Sequence, residues 1–117
     1  MLTQAITEED ALKMIRNDED RKCFCIKLGD LPIGYIILMN IKSGIGRVVI
    51  MIDEPFTNKG HGFQSFLLLE KEAIKLGIRK LILEVRTDNA SAVSLYKKLG
   101  FNLKYTEVVM EKDIIDK

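Results

Sequence analysis

The sequence has 117 residues, enough for one domain with one core, and its 47% hydrophobic and 30% charged content is that of a folded chain rather than a disordered one. Eighteen basic residues stand against 17 acidic ones, a formal net charge of +1, which lacks the strongly basic footprint of a nucleic-acid binder. The longest apolar run, near Ile33–Met39, falls well short of the ~20 residues that span a bilayer, so no membrane partner is expected.

Met1–Arg21 holds more acids than bases, unlike a secretory signal, and the expected location is the cytoplasm. No linker composition or internal repeat divides the chain, so residues 1–117 read as a single domain. Cys23 and Cys25 are spaced i, i+2 with no second Cys or His pair to complete a metal site; they read as reduced strand residues, and no metal is expected.

Leu2–Ile6 fits a short edge strand. Thr7-Glu8-Glu9-Asp10 resembles a capping box, and Ala11, Leu12 and Ile15 follow at helical spacing, which predicts a helix over Thr7–Asn17. Three strands come next: Cys23–Leu28, ended by Gly29-Asp30; Ile33–Asn40, broken at Lys42-Ser43-Gly44; and Gly46–Ile52, whose nearly continuous apolar run predicts burial on both faces. Their short connections predict an antiparallel meander. Phe63, Phe66, Leu67, Ala73 and Ile74 then mark one helical face, with Gly77 as the stop, and Leu81–Val85 reads as another buried strand. Strand, helix and strand in succession imply a right-handed parallel crossover. Ala92, Leu95, Tyr96 and Leu99 give a second amphipathic helix ended by Gly100, and Phe101 to about Ile114 alternates enough for one strand or a tight pair. The expected class is α/β, an α+β mixed sheet that is antiparallel first and parallel after.

Chemistry concentrates in Ile52–Gly62, between a buried strand and a helix start. Gly60 and Gly62 permit unusual backbone and close approach to a ligand. Amides from Asn58 to Gly62, backed by the helix dipole and the charge of Lys59, suit a phosphate or pyrophosphate. The P-loop pattern is absent. Gly60-His61-Gly62-Phe63-Gln64-Ser65 imitates a dinucleotide fingerprint, with Glu84 downstream. Yet Asp53–Lys59 separates strand from glycine, where that fold turns almost at once, and the preceding strands are antiparallel.

Thr57-Asn58-Lys59-Gly60-His61-Gly62, together with Asn89, Ala92, Leu95-Tyr96 and Gly100-Phe101, resembles the two signatures of the GNAT superfamily of acetyl-coenzyme A-dependent N-acyltransferases. The resemblance runs from about Ile33 to Lys112, and Val109-Met110-Glu111-Lys112 is similar to the closing strand of many members. It implies a GNAT-like fold with acetyl-coenzyme A as co-substrate and a small-molecule or peptide amine as acceptor. Two departures stand out. Thr57 replaces the usual Arg or Gln, removing a side-chain donor while leaving the backbone amides. Only one helix fits before Arg21 where the family has two, so the N-terminal region is shortened and implies an open acceptor site that a homodimer partner could complete.

The resemblance also implies roles. Residues 57–62 (Thr57, Asn58, Lys59, Gly60, His61 and Gly62) would bind the pyrophosphate, His61 through its amide rather than its imidazole. The exposed edge at Ile50 and Ile52 would hold the pantetheine arm, with the Ile52 N–H as oxyanion donor. Tyr96 would protonate the leaving thiolate; its alternative is simple membership of the apolar stripe. Glu84 is the nominated base, since Leu83-Glu84-Val85-Arg86 resembles the run in the branch acting on ribosomal protein N-termini. Arg86 on the same strand face could instead pair with it, and a water relay from Asp53 or Glu54 is the other route. Asn89 would hold the cofactor arm or cap the following helix, and Lys98 would reach the 3′-phosphate unless it is only a solvated lysine. The competing function is a non-catalytic acetyl-coenzyme A-binding module, and the weakest is a purely structural partner with no cofactor affinity.

Overall fold

The computed structural model describes residues 4–8 and 18–114. One sheet carries five strands in sequence order: β1 (Gln4–Glu8), β2 (Arg21–Leu28), β3 (Leu31–Met39), β4 (Ile45–Ile52) and β5 (Lys80–Ile82). The first four are antiparallel, and β5 joins β4 in parallel after the helix α1 (His61–Lys75). A second helix, α2 (Ala90–Lys98), follows. This is the mixed α/β architecture that the order of patterns implied.

Cross-strand pairing builds the core. Ile36 lies opposite Phe24 on one side and Ile50 on the other, and Leu38 lies opposite Val48, so one sheet face presents a continuous apolar ladder. Phe66, Leu69 and Ala73 of α1 and the following Ile78 close over it. Ile36, Leu38, Phe66 and Leu69 are fully buried, each worth about 1.5–3 kcal/mol of transfer free energy. The far face carries Cys23 and Cys25, both buried and outside any disulfide, opposite Ile37 and Tyr35.

Both helices end on the same backbone device. Gly77 N–H bonds the Ile74 carbonyl while Ile78 N–H bonds that of Ala73; Gly100 and Phe101 repeat this on Lys97 and Tyr96. The second closure turns Phe101 back beside Tyr96 and Phe66, with ring centroids 5.7–5.8 Å apart in edge-on geometry. Tyr96 is thereby fixed at the end of α2.

Several expectations are corrected. Thr7 and Glu8 belong to β1, and the rest of the helix read over Thr7–Asn17 lies outside the described residues, as do Leu2 and Thr3. β4 alternates rather than burying both faces: Val48 is buried while Val49 and Met51 are exposed, because α1 covers only one side of it. β5 is three residues long, and Glu84 and Val85 beyond it are exposed. The α1 stripe is Phe66-Leu69-Ala73; Leu67 and Ile74 sit one residue, about 100°, round the helix and face out.

The segment from Phe101 to Ile114 forms no strand. Leu103, Val108, Val109, Met110 and Ile114 are 80–94% exposed. Alternation produces a strand only beside an available edge, and three-residue β5 presents little of one.

Candidate functional site

The loop after β4 is built by short-range bonds. Asp53 N–H bonds the Ile33 carbonyl at 2.7 Å, a 3₁₀ turn covers Glu54–Phe56, and the chain then passes through Asn58 (φ 58°) and Gly60 (φ 84°) into α1. Thr57 spends its hydroxyl on the Glu54 carbonyl at 2.9 Å, so it closes the turn instead of offering a donor to a ligand. Among the described residues the amides of Asn58–Gly62 donate to no backbone carbonyl. Free N–H groups at a helix N-terminus form an anion site.

The two glycines serve different ends. Gly60 is left-handed with nothing within 4 Å of a would-be Cβ, so its requirement is conformational. At Gly62 a Cβ would meet Leu95 Cδ2 at 3.1 Å, so its bareness lets α1 approach α2.

Beside this loop the sheet parts. The β4–β5 ladder stops at Arg47↔Ile82, and the N–H of Asp53 points towards β3. Successive N–H groups alternate along a strand, which turns those of Ile52 and Ile50 to the edge that β5 has left. A cleft of about 200 Å³ occupies the gap, lined by Arg47, Val48, Val49, Ile50, Leu83, Glu84 and Tyr96. A larger hollow of about 570 Å³ lies between residues 41–45 and 76–80, away from all of these groups.

Tyr96 reaches the cleft from α2, half-buried against Phe66 at a centroid distance of 5.5 Å. Its burial raises the pKa of the phenol, which keeps it neutral and proton-bearing. Tyr96 is therefore both a packing residue and a cleft residue.

Glu84 also lines the cleft, but not as read from the sequence. It is largely exposed and its carboxylate pairs with Arg47. Arg86 pairs instead with Asp88 at 2.9 Å, and that guanidinium holds the Asp88 carboxyl below the usual carboxylate range. Asp53 and Glu54 are exposed on the loop. Asn89 caps α2, its side chain accepting from Ala92 N–H at 3.2 Å, while Lys98 is exposed. Among the described residues no group of three or more His, Cys, Asp or Glu could hold a metal, and no helix is long and apolar enough to cross a membrane.

Two participants escaped the sequence reading. Arg47 was detectable as a lone charge opening an apolar strand, Arg47-Val48-Val49-Ile50-Met51-Ile52. Gln4 bonds His61 and Ser65 from 57 and 61 residues away, and nothing local marks it.

The model of the "Acetyltransferase (GNAT) family" matches residues 3–101. The uncharacterized N-acetyltransferase YycN of Bacillus subtilis is 41% identical over 61 residues, 52% of this chain and 38% of that protein. The ribosomal protein bS18-alanine N-acetyltransferase of Escherichia coli is 42% identical over 53 residues, 45% of this chain and 36% of that protein. These matches span little more than a third of either relative. The crystal structure of the E. coli protein aligns with a TM-score of 0.68 at 28% identity, covering 76% of this chain and 57% of that one. PaiA N-acetyltransferase from Thermoplasma acidophilum, solved in complex with coenzyme A, aligns with a TM-score of 0.68 at 27% identity, covering 75% and 55%.

Proposed function

The chain belongs to the GNAT family of acetyltransferases, and from that premise we propose that it transfers an acetyl group from acetyl-coenzyme A to a primary amine of a small molecule, peptide or protein. One observation carries the reading: β4 parts from β5 beside a loop of free amides, with a neutral phenol facing the gap. The residues suit the co-substrate. Asn58–Gly62 offer unspent N–H groups to a diphosphate, and Ile50 and Ile52 turn theirs to an open edge where an amide-bearing arm can pair. When bound, acetyl-coenzyme A supplies the activated acyl carbonyl.

The chain's own groups divide the remaining work. The Ile52 N–H stabilises developing negative charge on oxygen. Tyr96 holds a proton for the departing sulfur, and burial preserves that proton at neutral pH. Glu84 accepts the proton of the attacking amine, which at a pKa of roughly 10 arrives charged. Its pairing with Arg47 fixes the carboxylate at the cleft wall. The similarity to a ribosomal protein bS18-alanine N-acetyltransferase supports an amine acceptor.

The same Arg47–Glu84 pair, with the Thr57 hydroxyl engaged by the Glu54 carbonyl, favours one competing reading: a module that holds acetyl-coenzyme A without turnover. Thiol release from acetyl-coenzyme A in the presence of a panel of amines separates the two. Amine-dependent release that collapses in Tyr96→Phe supports the enzyme. Tight binding without release, unchanged by that substitution, supports the module.

A further inference from the structure

We propose that Gln4 is a positioning residue for the pyrophosphate loop, its carboxamide aiming the first-turn amides of α1 and setting the tautomer of the only histidine. The inference rests on the reading of residues 57–62 as a diphosphate site.

Gln4 lies on the edge strand β1, paired with Leu28, and its side chain crosses to the start of α1. Nε2 donates to the His61 carbonyl at 2.7 Å and to Ser65 Oγ, a hydroxyl that is completely buried. Oε1 faces His61 Nδ1 at 3.0 Å. A carboxamide has two N–H donors and one accepting oxygen, so every strong group on Gln4 is engaged. Reversing the amide would set oxygen against the His61 carbonyl, which cannot donate. The orientation is therefore determined, and Oε1 can only accept, so His61 Nδ1 carries the hydrogen and Nε2 is the bare nitrogen.

The carbonyl contact reaches the ligand site directly. A trans peptide is planar, so the Gly62 N–H points opposite to the His61 carbonyl. Gripping that carbonyl aims the Gly62 N–H out of the helix N-terminus, where the free amides converge. His61 and Ser65 lie one helical turn apart, so both contacts hold the same turn. Without Gln4 the loop keeps its amides but loses the anchor that pre-orients them, and binding must then supply the ordering.

Two variants of similar shape separate the contacts. Gln4→Leu removes all three bonds. Gln4→Glu keeps an acceptor for Nδ1 but no donor for the carbonyl. Calorimetry with coenzyme A, steady-state kinetics with acetyl-coenzyme A, and ¹⁵N spectra of the single imidazole are the readouts. The expected result is about a tenfold weaker coenzyme A affinity in both variants, because binding must then order the loop that Gln4 no longer holds. The KM for acetyl-coenzyme A rises with it while kcat holds. The Nδ1–H tautomer is expected in the parent protein and in Gln4→Glu, and lost in Gln4→Leu. If the parent binds coenzyme A and both variants bind it equally well, or if the parent imidazole carries its hydrogen on Nε2, the inference is overturned. No binding by the parent itself overturns the pyrophosphate reading instead, and the tautomer then decides the Gln4 contact alone. Should Gln4→Leu not fold, Gln4→Glu and the parent spectrum suffice.

Discussion

A phenol between an aromatic cluster and a cleft carries two duties, and Tyr96 is expected to separate them under substitution. Tyr96→Phe keeps the ring packing on Phe66 and Phe101 and deletes only the hydroxyl with its proton. Turnover should fall about 10²–10⁴-fold while calorimetry shows unchanged coenzyme A affinity. The pKa shift has a definite sign. Burial favours the neutral phenol in the folded state, so its folded pKa exceeds the unfolded one. Its contribution to stability is therefore complete below pH ~10 and lost as pH rises through the folded value. Phenolate absorbance should show an ionisation above the ordinary tyrosine range, and Tyr96→Phe should remove it. Glu84 has a parallel test. Replacing it with Gln keeps its size and should lower turnover about 10²-fold or more with coenzyme A affinity intact; unaltered turnover would shift the base to Asp53 or Glu54 through water. The pair it forms with Arg47, well exposed on both sides, is worth at most about 1 kcal/mol, so stability should barely change.

At the scale of elements, the strand–loop–helix unit from β4 to α1 is the proposed binding unit, and its two glycines should respond differently. Gly60→Val forces a β-branched residue to φ 84°, a strain of about 1–3 kcal/mol, and should abolish coenzyme A binding in calorimetry. Gly62→Ala meets only the flexible end of Leu95 at 3.1 Å, so a small shift accommodates it and most affinity should remain. Asn89→Ala removes the N-cap of α2 at a cost of about 1 kcal/mol, lowering the thermal midpoint by roughly 4–8 °C. Since α2 carries Tyr96, a kcat loss with no change in coenzyme A affinity should accompany it.

At the scale of the whole molecule, α1 packs on one face of the sheet among the described residues, and the described chain beyond Phe101 contributes little to that core. Ending the chain after Asn102 removes Leu103, Val108, Val109, Met110 and Ile114, all largely exposed. The expected outcome is a thermal midpoint within a few degrees of the parent. Exposed apolar side chains on an extended segment invite association, so light scattering should show less self-association after truncation. A large drop in the midpoint would mean that this segment docks against the sheet.

Much of this molecule can be read along the chain because its signals are local. Apolar runs and their lengths, Gly77 and Gly100 as helix ends, and Gly60 before α1 all act through neighbouring backbone, so strand order, sheet class and the left-handed turn into α1 were legible in the residues themselves. Thr57 was legible as a departure, though only its bond to Glu54 shows what it does instead. Other questions belong to tertiary structure, because they depend on which elements arrive beside one another. Whether β4 is covered on one face or two, whether Arg86 or Arg47 meets Glu84, and whether the segment after Phe101 finds an edge are settled across gaps of tens of residues. Gln4 is the extreme case: 57 residues from His61, its carboxamide acquires meaning only when β1 is laid against the start of α1. A pattern in sequence specifies what a segment can bury or bond, whereas partners are chosen by packing.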